Sequence, residues 1–478
     1  MKQTKQRPFG IRDKLGYMFG DFGNDFTFIL STSILMKFYT DVMGVSAGVV
    51  GTIMMLARFV DAVTDVTMGR ICDACKPTAA GKFKPWLLRM CIPVAFSSFL
   101  MYAPGFASEA VAGWSNGVKI AYLGFTYILW GSFCYTGINI PYGSMASAIS
   151  ADAGDRASLS TFRTMGGMLA GMVIGMGLPI IAYDKITTEA GEALSVLNGT
   201  KVAIAALVFS VLAVVCYLLS YKLTTERIPY QAPEKQEKVS IGKMLKNAVT
   251  NRALLSIIVA SILMLLAQLT MQNMGAYIYP DYYGDSAGQT LSSAAMMVSM
   301  LIASAAAKPL TNKFGKAEVS IVSCLFATAV CLITWILKPA NMWVYIGLQA
   351  LNWLGLGMFS MVCWALITDV IDYSELKNGV REDGSVYAIY SFARKLGQAV
   401  AAGLSGWLLE AIGYNEKALE MGVGQTAAVK DGIFSISTLI PALGFGALAL
   451  VLWFWYPLHK KQVDANIRAL KEKHAKGE

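Results

Sequence analysis

The strongest constraint on this chain is a series of about a dozen apolar segments, each near the roughly 20 residues a helix needs to cross a bilayer. In the first half they cover about Leu15–Tyr39, Ser46–Arg70, a segment from Trp86, Ile120–Ile149, a segment from Ser160, and Val202–Tyr221. In the second half they lie near 254–280, 289–308, 318–337, 342–368, 386–412 and 432–457. A bilayer core holds no water for unpaired backbone groups, so only helices or closed barrels span it. These runs are too long for barrel strands. The chain is therefore expected to be all-α, a polytopic membrane protein with twelve transmembrane helices in two six-helix halves. Its 15% charged residues, against about 25% in a soluble domain, agree.

Charge placement gives organisation and orientation. Basic residues cluster at the start (Lys2, Lys5, Arg7, Arg12, Lys14), after the second segment (Arg70, Lys76, Lys82, Lys84, Arg89), in the middle (Lys222 to Arg252) and in the tail from Lys460. The other loops lean acidic: Asp41, Glu109, Asp184 with Glu189 and Glu192, and Asp281 with Asp285. By the positive-inside rule both termini and the middle stretch face the cytoplasm of a plasma-membrane protein. The expected parts are an N-terminal bundle over 1–222, a cytoplasmic linker over 223–252 with a short amphipathic helix near Ile241–Ala248, a C-terminal bundle over 253–458, and a tail over 459–478. The net charge of +9 then reflects topology and lipid headgroups, not nucleic acid. The start is long and charged and runs into a full span, unlike a cleavable signal peptide. Most of the cluster Asp369, Asp372, Glu375, Lys377, Arg381, Glu382 and Asp383 reads as a solvated loop.

Within the second segment stands Arg58-Phe-Val-Asp61-Ala-Val-Thr64-Asp65. Positions i, i+3 and i+7 share one helix face. An ionised group facing lipid costs roughly 2.5–3.5 kcal/mol on the lenient insertion scale, so this face must meet protein or water. Two carboxylates this close need a proton, a metal ion or a neighbouring cation. That is the chemistry of a cation-binding site. The first segment adds Asp21, Asn24 and Asp25. The fourth holds Tyr135-Thr-Gly-Ile-Asn139-Ile-Pro141-Tyr142, and the fifth opens near Arg163 before a glycine-rich run suited to close helix contact. In the second half the main intramembrane charge is Lys395, beside Arg394. The economical arrangement puts Asp61, Asp65, Lys395 and Asp25 around one central cavity.

Several chemistries are excluded. The two histidines, His459 and His474, both sit in the tail, so histidine relays and Ser-His-Asp catalysis fall away. No P-loop motif occurs. Cys72 and Cys75 form a lone C-x-x-C without a second pair, a weak zinc signal. No nucleophile–base set is visible, so an enzyme is not expected, and no cofactor is implied.

Two six-helix halves repeated in parallel describe the major facilitator architecture. The chain resembles the glycoside–pentoside–hexuronide:cation symporter family of that superfamily. The stretches that carry the likeness are Gly23-Asn24-Asp25-Phe, Tyr39-Thr-Asp41-Val, Arg58 to Asp65, Gly81-Lys-Phe-Lys-Pro-Trp86, Tyr135 to Tyr142 and Asp369-Val-Ile-Asp372-Tyr. The resemblance implies that Asp61 and Asp65 bind the coupling cation and that the Thr136 hydroxyl completes that site. It implies that Asp25 holds sugar hydroxyls, that Arg163 contacts sugar and that Lys395 lies near both sites. Gly81–Trp86 and Asp369–Arg381 match cytoplasmic gate elements. Galactoside-carrying members have lysine, aspartate and tryptophan where this chain has Asn24, Asn139 and Gly143. The Asn-Ile-Pro-Tyr-Gly-Ser form resembles the glucuronide and pentoside carriers instead. Thr64 stands where sodium-using members often have asparagine.

The expectation is a secondary active transporter, a sugar or glycoside symporter coupled to H+ or Na+ and working by alternating access. Candidate substrate residues are Asp25, Asn24, Tyr135, Asn139, Tyr142, Arg163 and Lys395. Candidate cation residues are Asp61, Asp65, Thr64 and Thr136, with Arg58 and Lys395 as charge partners. Asp61 and Asp65 would ligate a metal only under sodium coupling, and two nearby positive groups favour the proton. Partners are a small sugar and membrane lipid, and the unit of function is a monomer. A non-sugar cargo on the same fold and a non-transporting sensor are the alternatives.

Overall fold

The helix starts are written locally. Ser46 accepts from Val49 N, Asp152 from Asp155 N, Asn198 from Lys201 N, and Thr426 from Val429 N. Asn251 accepts from both Ala253 N and Leu254 N. Each of these side chains satisfies a donor that the first helical turn leaves open. The computed structural model describes residues 7–187, 193–228, 251–378, 383–418 and 423–476.

Among the described residues, twelve long helical stretches follow one another. They are α1 (Ile11–Lys37, then a π turn Phe38–Val42), α2 (Ala47–Ala74), α3 (Lys84–Leu100), α4 (Asn116–Ile128, a π turn Leu129–Tyr135 and Thr136–Ile149), α5 (Ala153–Ala182) and α6 (Gly199–Leu223). Then come α7 (Arg252–Tyr277, then a π turn Ile278–Tyr282), α8 (Ala287–Phe314), α9 (Lys316–Leu337), α10 (Met342–Asn378), α11 (Asp383–Ala411) and α12 (Ala427–Leu450, then a π turn Val451–Trp455). A tail helix, α13, covers Lys460–Lys476. Eight stretches are long and apolar enough to cross a membrane alone, and α3 with Ala103–Ala112, bent by 45°, makes a ninth. The three that remain are α1, α4 and α11. α1 and α11 carry intramembrane charges, and α4 is divided by its π turn. All three hold candidate polar residues, as do α2 and α5, which pass as spans.

The chain divides into two units. The first comprises Met1–Glu234, Gly284–Thr290 and Leu409–Gln425, the second Lys235–Tyr283, Leu291–Leu408 and Thr426–Glu478. In the first, α1 packs against α5 and α6, and α3 against α6. Gly166 makes the α1–α5 approach possible, since a Cβ there would stand 2.4 Å from Met18 O. In the second, α9 packs on α10 and α12, and α7 on α12, around a continuous core that includes Leu265, Phe359, Leu366, Tyr390 and Phe445.

Three features differ from the sequence expectation. Residues 183–197 include a hairpin, β1 (Tyr183–Thr187) and β2 (Ala193–Leu197), paired antiparallel with Tyr183 opposite Leu197. Hydrogen bonds from Lys201 and Asn198 hold the Asp184 carboxyl there below its ordinary range. Asp41 is not a solvated loop acid. It is buried in an ion pair with Lys37 at 2.8 Å, and Tyr414 donates to it at 2.9 Å. Asp369, Asp372 and Glu375 belong to α10, which runs past the expected end of that span. Asp369 is 4% exposed and pairs with Lys316 at 2.6 Å, so the cluster is not a solvated loop there. The amphipathic helix expected at Ile241–Ala248, the gate residue Arg381 and the cluster residue Glu382 lie outside the described residues.

Candidate functional site

Two sets of carboxylates, each with a guanidinium, lie in the first unit. The α2 set begins with Arg58 and Asp61, three residues apart and so on one face. Arg58 Nη1 is 3.2 Å from Asp61 Oδ2, and its guanidinium carbon lies 5.2 Å from the Phe28 ring centre on α1. The other Asp61 oxygen accepts from Ser132 Oγ at 2.5 Å. One turn along, Asp65 Oδ1 accepts from Thr136 Oγ1 at 2.8 Å. Both hydroxyls come from α4, on either side of the end of its π turn. A π turn displaces side chains from the ordinary helical register and is frequent at functional sites. Here Thr136 Oγ1 also lies 3.2 Å from Gly131 O, five residues back. The Thr64 hydroxyl is turned to its own helix, with Val60 O at 3.2 Å and Asp61 O at 3.1 Å.

The second set joins α1 and α5. Arg163 Nε donates to Asp21 Oδ1 at 2.9 Å, and its guanidinium lies 5.4 Å from the Tyr142 ring centre. The Arg163 side chain is 40% exposed. Asp25 stands one turn from Asp21 against the same helix, beside Gly167. The expected Arg163 thus meets Asp21 first, a residue outside the candidate substrate set although its i, i+4 spacing from Asp25 puts both on one face.

Two candidate substrate residues are enclosed. Asn24 is 1% exposed: its amide donates to Asn139 Oδ1 at 3.3 Å, and its oxygen accepts from Tyr217 Oη at 3.0 Å. It orients Asn139 and presents no free face. Tyr142 is fully buried, stacked on Tyr17 at 4.6 Å, and its hydroxyl donates to Tyr17 O at 2.6 Å. It supports Arg163 from beneath. Tyr135 and Asn139 are half-buried, and Tyr135 stacks on Phe28 at 5.6 Å. Lys395 is half-buried on α11, in the second unit.

One helix serves both sets. α4 reaches α2 through Ser132 and Thr136, and α1 through Asn139 and Tyr135. Ser132 was missed in the sequence. Its only signal is the four-residue spacing from Thr136, which matches that of Asp61 and Asp65. Among the described residues no three acidic, cysteine or histidine side chains gather as a metal site.

A family model described as MFS/sugar transport protein matches residues 16–460. The chain is similar to the glucuronide carrier protein homolog of Escherichia coli (strain K12), 29% identical over 94% of this chain and 93% of that protein. It is also similar to the isoprimeverose transporter of Lactiplantibacillus pentosus, 29% identical over 97% of this chain and 92% of that one. The crystal structure of a D-xylose-proton symporter superposes with a TM-score of 0.64, covering 93% of this chain and 98% of that chain at 13% identity, a likeness of fold. The chain belongs to the MFS/sugar transport protein family: it is a sugar:cation symporter of the major facilitator fold, a multi-pass protein of the plasma membrane and not an enzyme.

Proposed function

We propose that the first unit holds a glycoside between α1, α4 and α5, and the coupling cation between α2 and α4. The observation that supports this reading is the sharing of α4 between the two carboxylate sets. A cation arriving at Asp61 and Asp65 changes the partners of Ser132 and Thr136. The same helix carries Tyr135 and Asn139 toward the sugar. Asp25 accepts a pair of sugar hydroxyls, the terminal nitrogens of Arg163 donate, Asn139 does either, and Tyr135 offers a ring face. The glucuronide and isoprimeverose relatives support a glycoside as the cargo class. Both termini face the cytoplasm, and the monomer is the transporting unit.

The coupling ion on this reading is the proton. Both Asp61 oxygens are engaged, by Arg58 at 3.2 Å and Ser132 at 2.5 Å. A guanidinium at that distance repels a metal ion, whereas a proton needs one carboxylate oxygen. Sodium is the second reading, favoured by the Gly131 carbonyl beside Thr136, which adds a hard oxygen to the two carboxylates. A membrane potential supplies roughly 2.3 kcal/mol per charge per 100 mV. That concentrates a neutral sugar about fifty-fold, at 1.4 kcal/mol per tenfold. The test is uptake into proteoliposomes from a labelled panel including isoprimeverose, methyl β-D-glucuronide and amphipathic non-sugar solutes. Concentrative uptake confined to the non-sugars would defeat the reading.

A further inference from the structure

We infer that Gly167 is a positioning residue for the sugar site, setting the Asp25 carboxylate by the absence of its own side chain. The inference rests on the reading of Asp25 as the sugar carboxylate. Two helix registers carry it. Asp21 and Asp25 are one turn apart on α1; Arg163 and Gly167 are one turn apart on α5. Arg163 faces Asp21 at 2.9 Å. Gly167 faces Asp25: a Cβ at 167 would stand 2.5 Å from Asp25 Oδ2 and 3.4 Å from Asp21 Oδ2. One turn of α5 thus supplies a charge for the first carboxylate, and the next supplies room for the second.

The neighbouring Gly166 sharpens the point. A Cβ there would stand 2.4 Å from Met18 O and 3.2 Å from Phe22 N, both backbone atoms of α1. Backbone cannot step aside without moving the helix, so Gly166 serves packing. At 167 the obstructed atom is the tip of a flexible side chain. A methyl group there leaves α1 in place and turns the Asp25 carboxylate away. Volume at 167 therefore acts on the orientation of one functional group and leaves the fold intact.

The test uses the full-length transporter in proteoliposomes, with radiolabelled isoprimeverose and methyl β-D-glucuronide as probes. Asp25→Ala is expected to raise KM about tenfold or more, the scale of a lost hydrogen bond to a charged group. Gly167→Ala is expected to raise KM by about tenfold with Vmax within about twofold, as small misplacements of a binding group do. Its melting temperature should match wild type, whereas Gly166→Ala should melt lower. In the double variant with Asp25→Ala, the 167 substitution should add nothing. If Asp25→Ala raises KM and Gly167→Ala does not, or if the two effects simply add, the positioning role is overturned while the sugar site stands. A Gly167→Ala protein that melts as low as Gly166→Ala overturns it as well. An unchanged KM in Asp25→Ala, or no wild-type uptake of either probe, removes the sugar-site reading itself.

Discussion

Ser132 on α4 donates its hydroxyl hydrogen to Asp61 on α2 at 2.5 Å, across 71 residues of sequence. With Arg58 on the other oxygen, this bond holds Asp61 in one orientation. Ser132→Ala removes one of the two partners and leaves the carboxylate in place. The expected result is weaker coupling, seen as a severalfold lower concentration ratio at equal gradient, with downhill sugar exchange near wild type. Equal losses of concentrative uptake and downhill exchange would place Ser132 in general packing.

The sugar side is separable from the cation side. Asp25→Ala should weaken glycoside binding by at least about 1.5 kcal/mol. Cation protection of the protein, followed as a thermal shift on adding the coupling ion, should survive. Unchanged glycoside affinity in a folded Asp25→Ala protein would make Asp25 a structural acid.

How much of this was legible in the sequence depends on contrast. Asp61, Asp65 and Asp25 stood out because a carboxylate is rare in an apolar run, and their spacing fixed the shared face. Ser132 did not stand out, because helical serines commonly bond their own backbone. The burial of Asn24 and Tyr142 could not be read either. Which face a side chain takes is decided by α6 and by Tyr17, which supply their partners. Asp369 looked like part of a loop because a charged run usually marks a helix end. Lys316, 53 residues away, neutralises it within α10. The β1–β2 hairpin was hidden inside a polar connection that the hydropathy pattern left unassigned.

The exit from α6 is a structural joint. Glu226 accepts from Lys82 N at 2.7 Å, Phe83 N at 2.9 Å and Lys84 N at 2.6 Å, closing the open donors at the start of α3. Gly81 makes room for it at φ +120°, where a side chain would be strained and would meet the same carboxylate. Glu226→Ala should cost about 1–3 kcal/mol of stability. A lowered melting temperature of the purified protein with an unchanged glycoside KM checks this, and a wild-type melt contradicts it.

The identity of the ion is tested in wild-type protein at fixed membrane potential, with pH and sodium gradients imposed separately. Uptake should follow the pH gradient. Thr64→Asn adds a carbonyl oxygen to the α2 face and should raise the response to sodium. Wild-type uptake that follows sodium and ignores pH would replace the proton by a metal ion bound at the same carboxylates.

On the proposed function, Asp61 and Asp65 carry the coupling. The most direct measurement is gradient-driven uptake by Asp61→Asn and Asp65→Asn in proteoliposomes, alongside glycoside binding by the same proteins. An amide neither exchanges a proton nor balances a cation. Both variants should therefore bind glycoside and catalyse downhill movement, yet fail to concentrate it. Concentrative uptake near the wild-type level in both would contradict the account.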